Sequence, residues 1–130
     1  DILWIVSILQ RHFKNYGPAM IKALLRVVRF LHTTRTQQLI FQAGYPADLH
    51  PLVVMVDASY ASSLIDRSSH EGIVIFYKGC PIHASSKRQR NVALSTMESE
   101  FMAANEATKV GLWLSRLLAG FGMPAPSPFP

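Results

Sequence analysis

Apolar residues recur at helical spacing in three segments of the chain and form continuous runs in three shorter ones. Residues 2 to about 14 and 18 to about 33 predict two α-helices, because their apolar residues repeat with the period of a helix. Gly17-Pro18 breaks the first helix and places proline in the first turn of the second. The longest periodic segment, Ser95 to about Ala119, predicts a third helix. Helical sequence therefore occupies the beginning of the chain and most of its last third.

The three apolar runs predict β-strands at Leu52 to Asp57, Gly72 to Tyr77 and Pro81 to Ser85. Lys78-Gly79-Cys80, between the last two runs, is short enough for a hairpin in which Gly79 supplies any positive backbone angle. Together the runs predict an antiparallel three-stranded meander, over which the long third helix crosses. The fold class is therefore α+β, with two helices preceding the sheet.

Residues 34 to 51 connect the helical segment to the sheet. They contain a candidate short strand at Leu39 to Phe41, followed by Gly44, Pro46 and Pro51, which stop regular structure. We therefore divide the chain into a helical segment at 1–45, an α+β domain at 52–122 and a proline-rich tail at 123–130.

The second and third helices each have an apolar face. On the second, Ile21, Leu24, Leu25, Val28 and Leu31 share one side, and the basic residues Lys22, Arg26 and Arg29 share the other. This basic side is either a solvated surface or a contact face for nucleic acid. On the third helix, Ser95 and Glu98 form a capping box, and Gly120 or Gly122 ends the helix. Its predicted apolar face comprises Met97, Phe101, Ala104, Ala107, Val110, Leu114, Leu117 and Leu118.

Composition restricts the class of protein. Charged residues are only 16% of the chain, against roughly 25% in ordinary soluble domains, so we expect part of the surface to face a partner. The net charge of +5 favours anionic partners, and six of the 13 basic residues precede residue 51. The chain begins with Asp1 rather than Met, which indicates a fragment or a processed piece.

Compartment and metal class follow from a few residues. Cys80 is the single cysteine, so no internal disulfide forms and no oxidising compartment is implied. The stretch Ile2 to Leu9 lacks the flanks of a signal peptide and is too short to cross a bilayer. We expect an intracellular protein, cytoplasmic or nuclear, without a membrane partner. His70 and His83 have no zinc-ligand spacing with Cys80.

Two carboxylates form the most informative constellation. Asp57 ends an apolar strand and Glu100 lies in the first part of the third helix, so both are held on rigid elements. Metal-dependent phosphodiester cleavage requires carboxylates that hold divalent cations, and hard oxygen ligands select Mg²⁺ or Mn²⁺. Glu98 points about 200° away from Glu100 around the helix and acts as the capping partner. Glu106 lies on another face. Asp57 is otherwise an ordinary turn-starting residue, and Glu100 an ordinary solvated one.

The order and spacing of several motifs resemble a known family. They are Val56-Asp57-Ala58, Asp66-Arg67-Ser68-Ser69, Gly72-Ile73-Val74-Ile75-Phe76, Ser85-Ser86-Lys87-Arg88-Gln89-Arg90, Val92-Ala93-Leu94-Ser95-Thr96, Glu100-Phe101-Met102-Ala103 and Leu112-Trp113-Leu114. Over residues 52 to 122 the chain resembles the ribonuclease H region of copia-type LTR-retrotransposon polyproteins. Upstream, residues 1–9 and 23–31 resemble the last helices of the same family's reverse transcriptase.

This resemblance implies a ribonuclease H-like unit that hydrolyses the RNA strand of RNA/DNA hybrids with Mg²⁺ or Mn²⁺. It implies that Asp57 and Glu100 are catalytic metal ligands, and that a third and a fourth acid follow further along the family's sequence. We therefore expect this chain, which stops at Pro130, to be a truncated and inactive unit. Ser59 and Tyr60 stand where the family commonly has Asp-Trp, and Ala84 where it has Trp.

The resemblance also implies partners. Lys87, Arg88 and Arg90, on the predicted loop before the third helix, would lie near the substrate and contact phosphates, unless the loop is simply solvated. The rest of the polyprotein is the other expected partner. The alternative function is a non-catalytic remnant, a weak nucleic-acid-binding or protein-binding module. A pure oligomerisation module is a third hypothesis.

Overall fold

The computed structural model describes residues 2–41, 43–63 and 66–123, with Asn15 described by its backbone alone. The chain divides after Leu39 into two units. In the first, helix α1 spans Leu3–Arg11, a short 3-10 helix spans Phe13–Asn15, and helix α2 spans Pro18–Thr33. Pro18 occupies the first turn of α2, as predicted. Within the described part of the chain, no helix has the length and apolar character of a membrane-spanning segment.

Most apolar side chains of α2 remain exposed. Val27 is its one buried residue, whereas Leu24 and Val28 are each 53% exposed. Lys22, Arg26 and Arg29 are exposed as well. The predicted apolar face of α2 therefore does not form a core with α1. The exposed basic side of α2 is compatible both with a solvated surface and with a contact face for nucleic acid.

The second unit contains the predicted antiparallel meander. Its strands are β1 at Leu52–Ser59, β2 at His70–Tyr77 and β3 at Cys80–Arg88, in the spatial order β1-β2-β3. The β3 strand extends beyond the predicted Ser85 because ladder hydrogen bonds to β2 do not require apolar side chains. The candidate strand at 39–41 is wrong: these residues lie in no ladder of the described sheet, and a strand needs a neighbour for its backbone groups.

A two-residue turn joins β2 to β3. Lys78 and Gly79 have φ angles of 48° and 75°, the positive pair that a type I′ turn requires. A register shift between Ile75 and Phe76 then changes the pairing, so that Phe76 lies opposite Pro81 but Ile75 opposite His83. The extra residue on β3 is a β-bulge, and it reverses which face of the sheet each later β3 side chain occupies.

Helix α3 spans Thr96–Gly120 and packs across β1 and β2. Its capping box forms in part: the Glu98 N–H donates to Ser95 Oγ at 3.1 Å, while Glu98 Oε2 accepts from the Leu94 N–H at 2.6 Å, one residue before the expected donor. At the other end Gly122, at φ 71°, and Met123 donate their N–H groups to Ala119 and Leu118, which is a Schellman motif.

The predicted apolar face of α3 was wrong in part. Met97 and Phe101 are 69% and 70% exposed, and Ala104 and Leu117 are exposed as well. The residues that α3 buries form one stripe: Ser99, Ala103, Ala107, Gly111, Leu114 and Leu118. Four of these six are small, so hydrophobicity alone does not mark them. Small side chains let the helix backbone approach the sheet closely between Ser99 and Gly111.

The core of this unit lies between α3 and one face of the sheet. Leu52, Ile73 and Ile75 are almost completely buried there, against Ala107, Leu114 and Leu118. Each of the three large strand residues contributes about 1.5–3 kcal/mol by leaving water. Val54 and Val56 pack beside them, so the even-numbered residues of β1 face the helix.

We predict that Ala103→Leu destabilises the domain by about 1–3 kcal/mol, because a larger side chain has no room at a position of 0% exposure. Ala104→Leu is the matched control: the neighbouring residue is exposed, and leucine is a good helix former. Chemical denaturation of both variants measures the difference. Equal stability of the two variants would show that α3 does not approach the sheet through this stripe.

Candidate catalytic carboxylates and a basic cleft

The N-terminal end of α3 is fixed at one end of the sheet. Tyr60 Oη, just after β1, donates to the Leu94 carbonyl at 3.2 Å, and Gln89 Nε2, just after β3, donates to the Ser99 carbonyl at 2.7 Å. Both bonds join the start of α3 to the end of the sheet at which β1 and β3 terminate. Any chemistry carried by the first turns of α3 therefore lies close to the last residues of β1.

Asp57 lies at this end of the sheet, opposite Gly72 in the β1–β2 ladder. Its side chain is exposed. Strand side chains alternate between faces, and Val56 and Ala58 occupy the face toward α3. Asp57 therefore belongs to the other face of β1, together with the exposed Met55 and Ser59.

Glu100 occupies the sheet-facing side of α3. At about 100° per residue it lies within about 20° of the buried Ala107 and in line with the buried Leu118. It is half-buried, whereas Glu98 is exposed and occupied in capping. The structure thus separates the two glutamates as the sequence indicated, with Glu100 toward the sheet and Glu98 away from it.

Asp57 and Glu100 fit a hard divalent cation by donor chemistry, since both offer carboxylate oxygens. Two such groups are fewer than a catalytic metal site uses. The described residues contain no group of three or more His, Cys, Asp or Glu side chains that could hold a metal ion.

The basic residues lie on a different flank of α3. Lys87 and Arg88 belong to β3 itself rather than to a loop, and Arg90 follows it. With Gln89 and Asn91 they line a cleft of about 510 Å³ between the end of β3 and α3. From the rest of the unit, the cleft is lined by Glu71, Met102, Asn105, Glu106 and Lys109. We call it the edge cleft.

The edge cleft and Glu100 are on opposite sides of the helix. Lys109 is nine residues after Glu100, which places it about 180° around the helix, and Met102 is about 160° away. Neither Asp57 nor Glu100 lines the cleft. The sequence did not identify Glu71, Asn105 or Lys109 as site residues, because the pairing that brings them together depends on the bulge in β3.

Glu71 is a buried carboxylate in this cleft, only 7% exposed. Burial raises its pKa above the usual value, and the like charge of Glu106 adds to the rise. A hydrogen bond from the Gln89 side chain and the charges of Lys87 and Lys109 oppose it. Glu106 has the reverse shift: its hydrogen bond with Lys109, at 2.6 Å, lowers its pKa.

Arg88 is held by a different network. By alternation it lies on the sheet face opposite to that of Lys87, and its Nη1 donates to Asp66 Oδ2 at 2.5 Å. Asp66 also accepts hydrogen bonds from the Ser68 N–H and hydroxyl. Hydrogen bonds from Ser63 and Ser68, and then the charge of Arg88, lower the pKa of Asp66 strongly.

We predict opposite pH dependences for the two glutamates of the edge cleft. Because the folded pKa of Glu71 is raised, its ionisation costs stability once the pH passes that pKa. Glu71→Gln should therefore melt at a higher temperature than the wild type at pH 8, and the difference should shrink as the pH falls toward about 4.3, the ordinary pKa of glutamate. Thermal melts across this range measure it.

Glu106→Gln is the matched variant of opposite sign. The folded pKa of Glu106 is lowered, so its ionised form stabilises the protein above the ordinary pKa, and that stability is lost as the pH falls. The variant should melt slightly lower than the wild type at pH 8, by no more than an exposed ion pair contributes. Parallel pH profiles for both variants would contradict the assignment of these shifts.

Comparison with known proteins finds several retrotransposon proteins and one secreted effector. The chain is 33% identical over 123 residues to the retrovirus-related Pol polyprotein from transposon TNT 1-94 of Nicotiana tabacum, and 27% identical over 123 residues to that from transposon RE1 of Arabidopsis thaliana. Each match covers 95% of this chain but only 9% and 8% of the polyproteins. No protein-family model matches the chain, and no solved structure matches it significantly.

The third relative is similar in length to the chain. It is the secreted RxLR effector protein 161 of Plasmopara viticola, 36% identical over 115 residues, which are 88% of this chain and 79% of that protein. The transposon matches cover between 78% and 95% of this chain. The chain therefore belongs to the family of copia-type retrotransposon Pol polyproteins, of which it corresponds to a short segment.

Proposed function

We propose that residues 52–122 are the first part of a ribonuclease H-like domain, which in a complete polyprotein hydrolyses the RNA strand of an RNA/DNA hybrid. The observation that carries the proposal is the motif order, which resembles that of the ribonuclease H region over residues 52 to 122. The polyprotein relatives support the same proposal. Asp57 and Glu100 lie at the same end of the sheet, with Asp57 on the face of β1 away from α3 and Glu100 on the sheet-facing side of α3.

In this proposal Asp57 and Glu100 are ligands of Mg²⁺ or Mn²⁺, and further carboxylates come from outside the described residues. Such a cation supplies an activated water and stabilises the leaving oxygen of the phosphodiester. The chain's own contribution is to hold the two carboxylates rigidly: Asp57 by the ladder to Gly72, and Glu100 by the packed stripe of α3. Glu98 supports Glu100 indirectly, because it caps the helix on which Glu100 lies.

The proposed partners are the RNA/DNA hybrid and the remainder of the polyprotein. The basic residues Lys87 and Arg90 support a nucleic acid partner, because phosphate contacts need positive charge more than exact geometry. Residues 1–45, which resemble the C-terminal end of a reverse transcriptase, would precede the nuclease in the same polyprotein.

A second function is favoured by one observation. The relative from Plasmopara viticola is named a secreted effector, and this chain covers 79% of it. With only two carboxylates at the candidate site, the chain by itself fits a non-catalytic module that binds nucleic acid or protein. Binding without turnover, unaffected by Glu100→Gln, distinguishes this function from the first.

We predict that Asp57→Asn and Glu100→Gln each reduce hydrolysis by more than about 100-fold, because even residues that only support metal ligands cost 10–100-fold when lost. The assay uses the Nicotiana tabacum polyprotein with its matched region replaced by this chain, an RNA/DNA hybrid and Mg²⁺. Glu98→Gln is the matched control. It weakens the helix cap, so it should lower the melting temperature but leave the rate within a few-fold of the parent.

Unchanged hydrolysis in the Asp57→Asn chimera would show that this carboxylate is no metal ligand. A chimera without activity before mutation, which still binds the hybrid, would favour the non-catalytic module.

A further inference from the structure

The edge cleft has the charges of an anion site. Four basic residues, Lys87, Arg88, Arg90 and Lys109, and two acidic ones, Glu71 and Glu106, line it. Without Arg88, which pairs with Asp66, the formal net charge is 3 − 2 = +1. Asn91 and Asn105 add amide donors to its wall. A polar cleft with excess positive charge and neutral donors is suited to an anion with several acceptor oxygens.

The four bases are not equivalent. Lys87 lies opposite Glu71 in the β2–β3 ladder, on the face toward α3. Arg88 lies opposite His70, and its guanidinium is engaged by the strongly acidic Asp66 on the other face. Within the described part of the chain, Lys87 and Arg90 have no carboxylate within ion-pairing distance. Their charges are therefore available to a ligand.

Lys109 completes the cleft from the helix side. Its Nζ bonds Glu106 Oε1 at 2.6 Å, and both side chains are about half exposed. An exposed pair of this kind contributes little, at most about 1 kcal/mol, so a bound anion can share the ammonium group at small cost. Glu106 acts in the opposite direction, since its charge repels an anion from the same position.

We propose that the edge cleft binds the phosphodiester backbone of a nucleic acid strand through Lys87, Arg90 and Lys109, and that Arg88 takes no part in this contact. The inference takes its nucleic acid partner from the proposed function but does not depend on the metal site, which lies on the other side of α3. It assigns the phosphate contact to Lys109, which the sequence did not identify, in place of Arg88, which the sequence did identify.

Phosphodiesters fit this cleft better than an acidic peptide does. Each phosphate carries one charge on oxygens that accept hydrogen bonds from several donors, and the cleft offers lysine, arginine and amide donors together. A run of carboxylates would bring more negative charge toward Glu71 and Glu106.

Salt dependence of binding tests the proposal. Affinities of the full chain for a fluorescent RNA/DNA hybrid and for a DNA single strand are measured by anisotropy over a range of salt concentrations. Lys87→Gln, Arg90→Gln and Lys109→Gln should each weaken binding and reduce the slope of log K against log salt by about 0.7–0.9, the value for one phosphate contact. Arg88→Gln, the matched control, should leave the slope unchanged.

Glu106→Gln tests the proposal through an expected increase in affinity for nucleic acid. It removes the repelling charge and releases Lys109, so it should tighten binding, an effect that general destabilisation does not produce. The proposal is overturned if Lys109→Gln keeps the wild-type slope, if Arg88→Gln reduces the slope as much as Lys87→Gln does, or if polyglutamate competes as well as the DNA strand.

Binding by this chain and hydrolysis by the chimera are independent measurements. If the slopes change as predicted but Asp57→Asn does not affect hydrolysis, the metal site is overturned and the edge cleft stands. If Asp57→Asn abolishes hydrolysis but Lys109→Gln does not affect binding, the edge cleft is overturned and the metal site stands.

Discussion

The close packing of α3 on β1 and β2 is the constraint on which the rest of the second unit depends. The stripe Ser99, Ala103, Ala107 and Gly111 brings the helix backbone against the sheet, and Leu114 and Leu118 continue it over the strand residues of the core. Because a helix packed through small residues cannot rotate without a clash or a void, each other side chain has a fixed direction. Glu100 is thereby held toward the sheet, and Lys109 is held about half a turn away.

The two proposed sites have different requirements. A metal site needs carboxylates on rigid elements, and Asp57 and Glu100 are placed on a paired strand and on the packed side of the helix. A phosphate site needs accessible charge, and the edge cleft supplies it where β3 has no further neighbour in the described sheet. Glu71 belongs to the edge cleft, where burial raises the pKa of its carboxyl group and the charges of Lys87 and Lys109 oppose this rise.

The sequence was sufficient for the meander, the Pro18 and Ser95 helix starts and the separation of Glu98 from Glu100, because local periodicity and capping chemistry decide these features. It was not sufficient for the buried face of α3, since serine, alanine and glycine at close contacts have little hydrophobicity. It was also not sufficient for the edge cleft. A regular register from the Lys78-Gly79 turn would pair Glu71 with Ser86, and only the bulge after Pro81 brings Lys87 opposite it.

The central claim is that Asp57 and Glu100, at one end of the sheet, bind one cation and that the edge cleft is separate from this site. A titration of the isotope-labelled chain with Mn²⁺, followed by the paramagnetic broadening of its amide signals, tests this claim most directly. The account predicts that the signals around Asp57 and Glu100 broaden first and that those of Lys109 and Glu106 persist. Broadening centred on Glu71 and Glu106, with Asp57 and Glu100 unaffected, would contradict it.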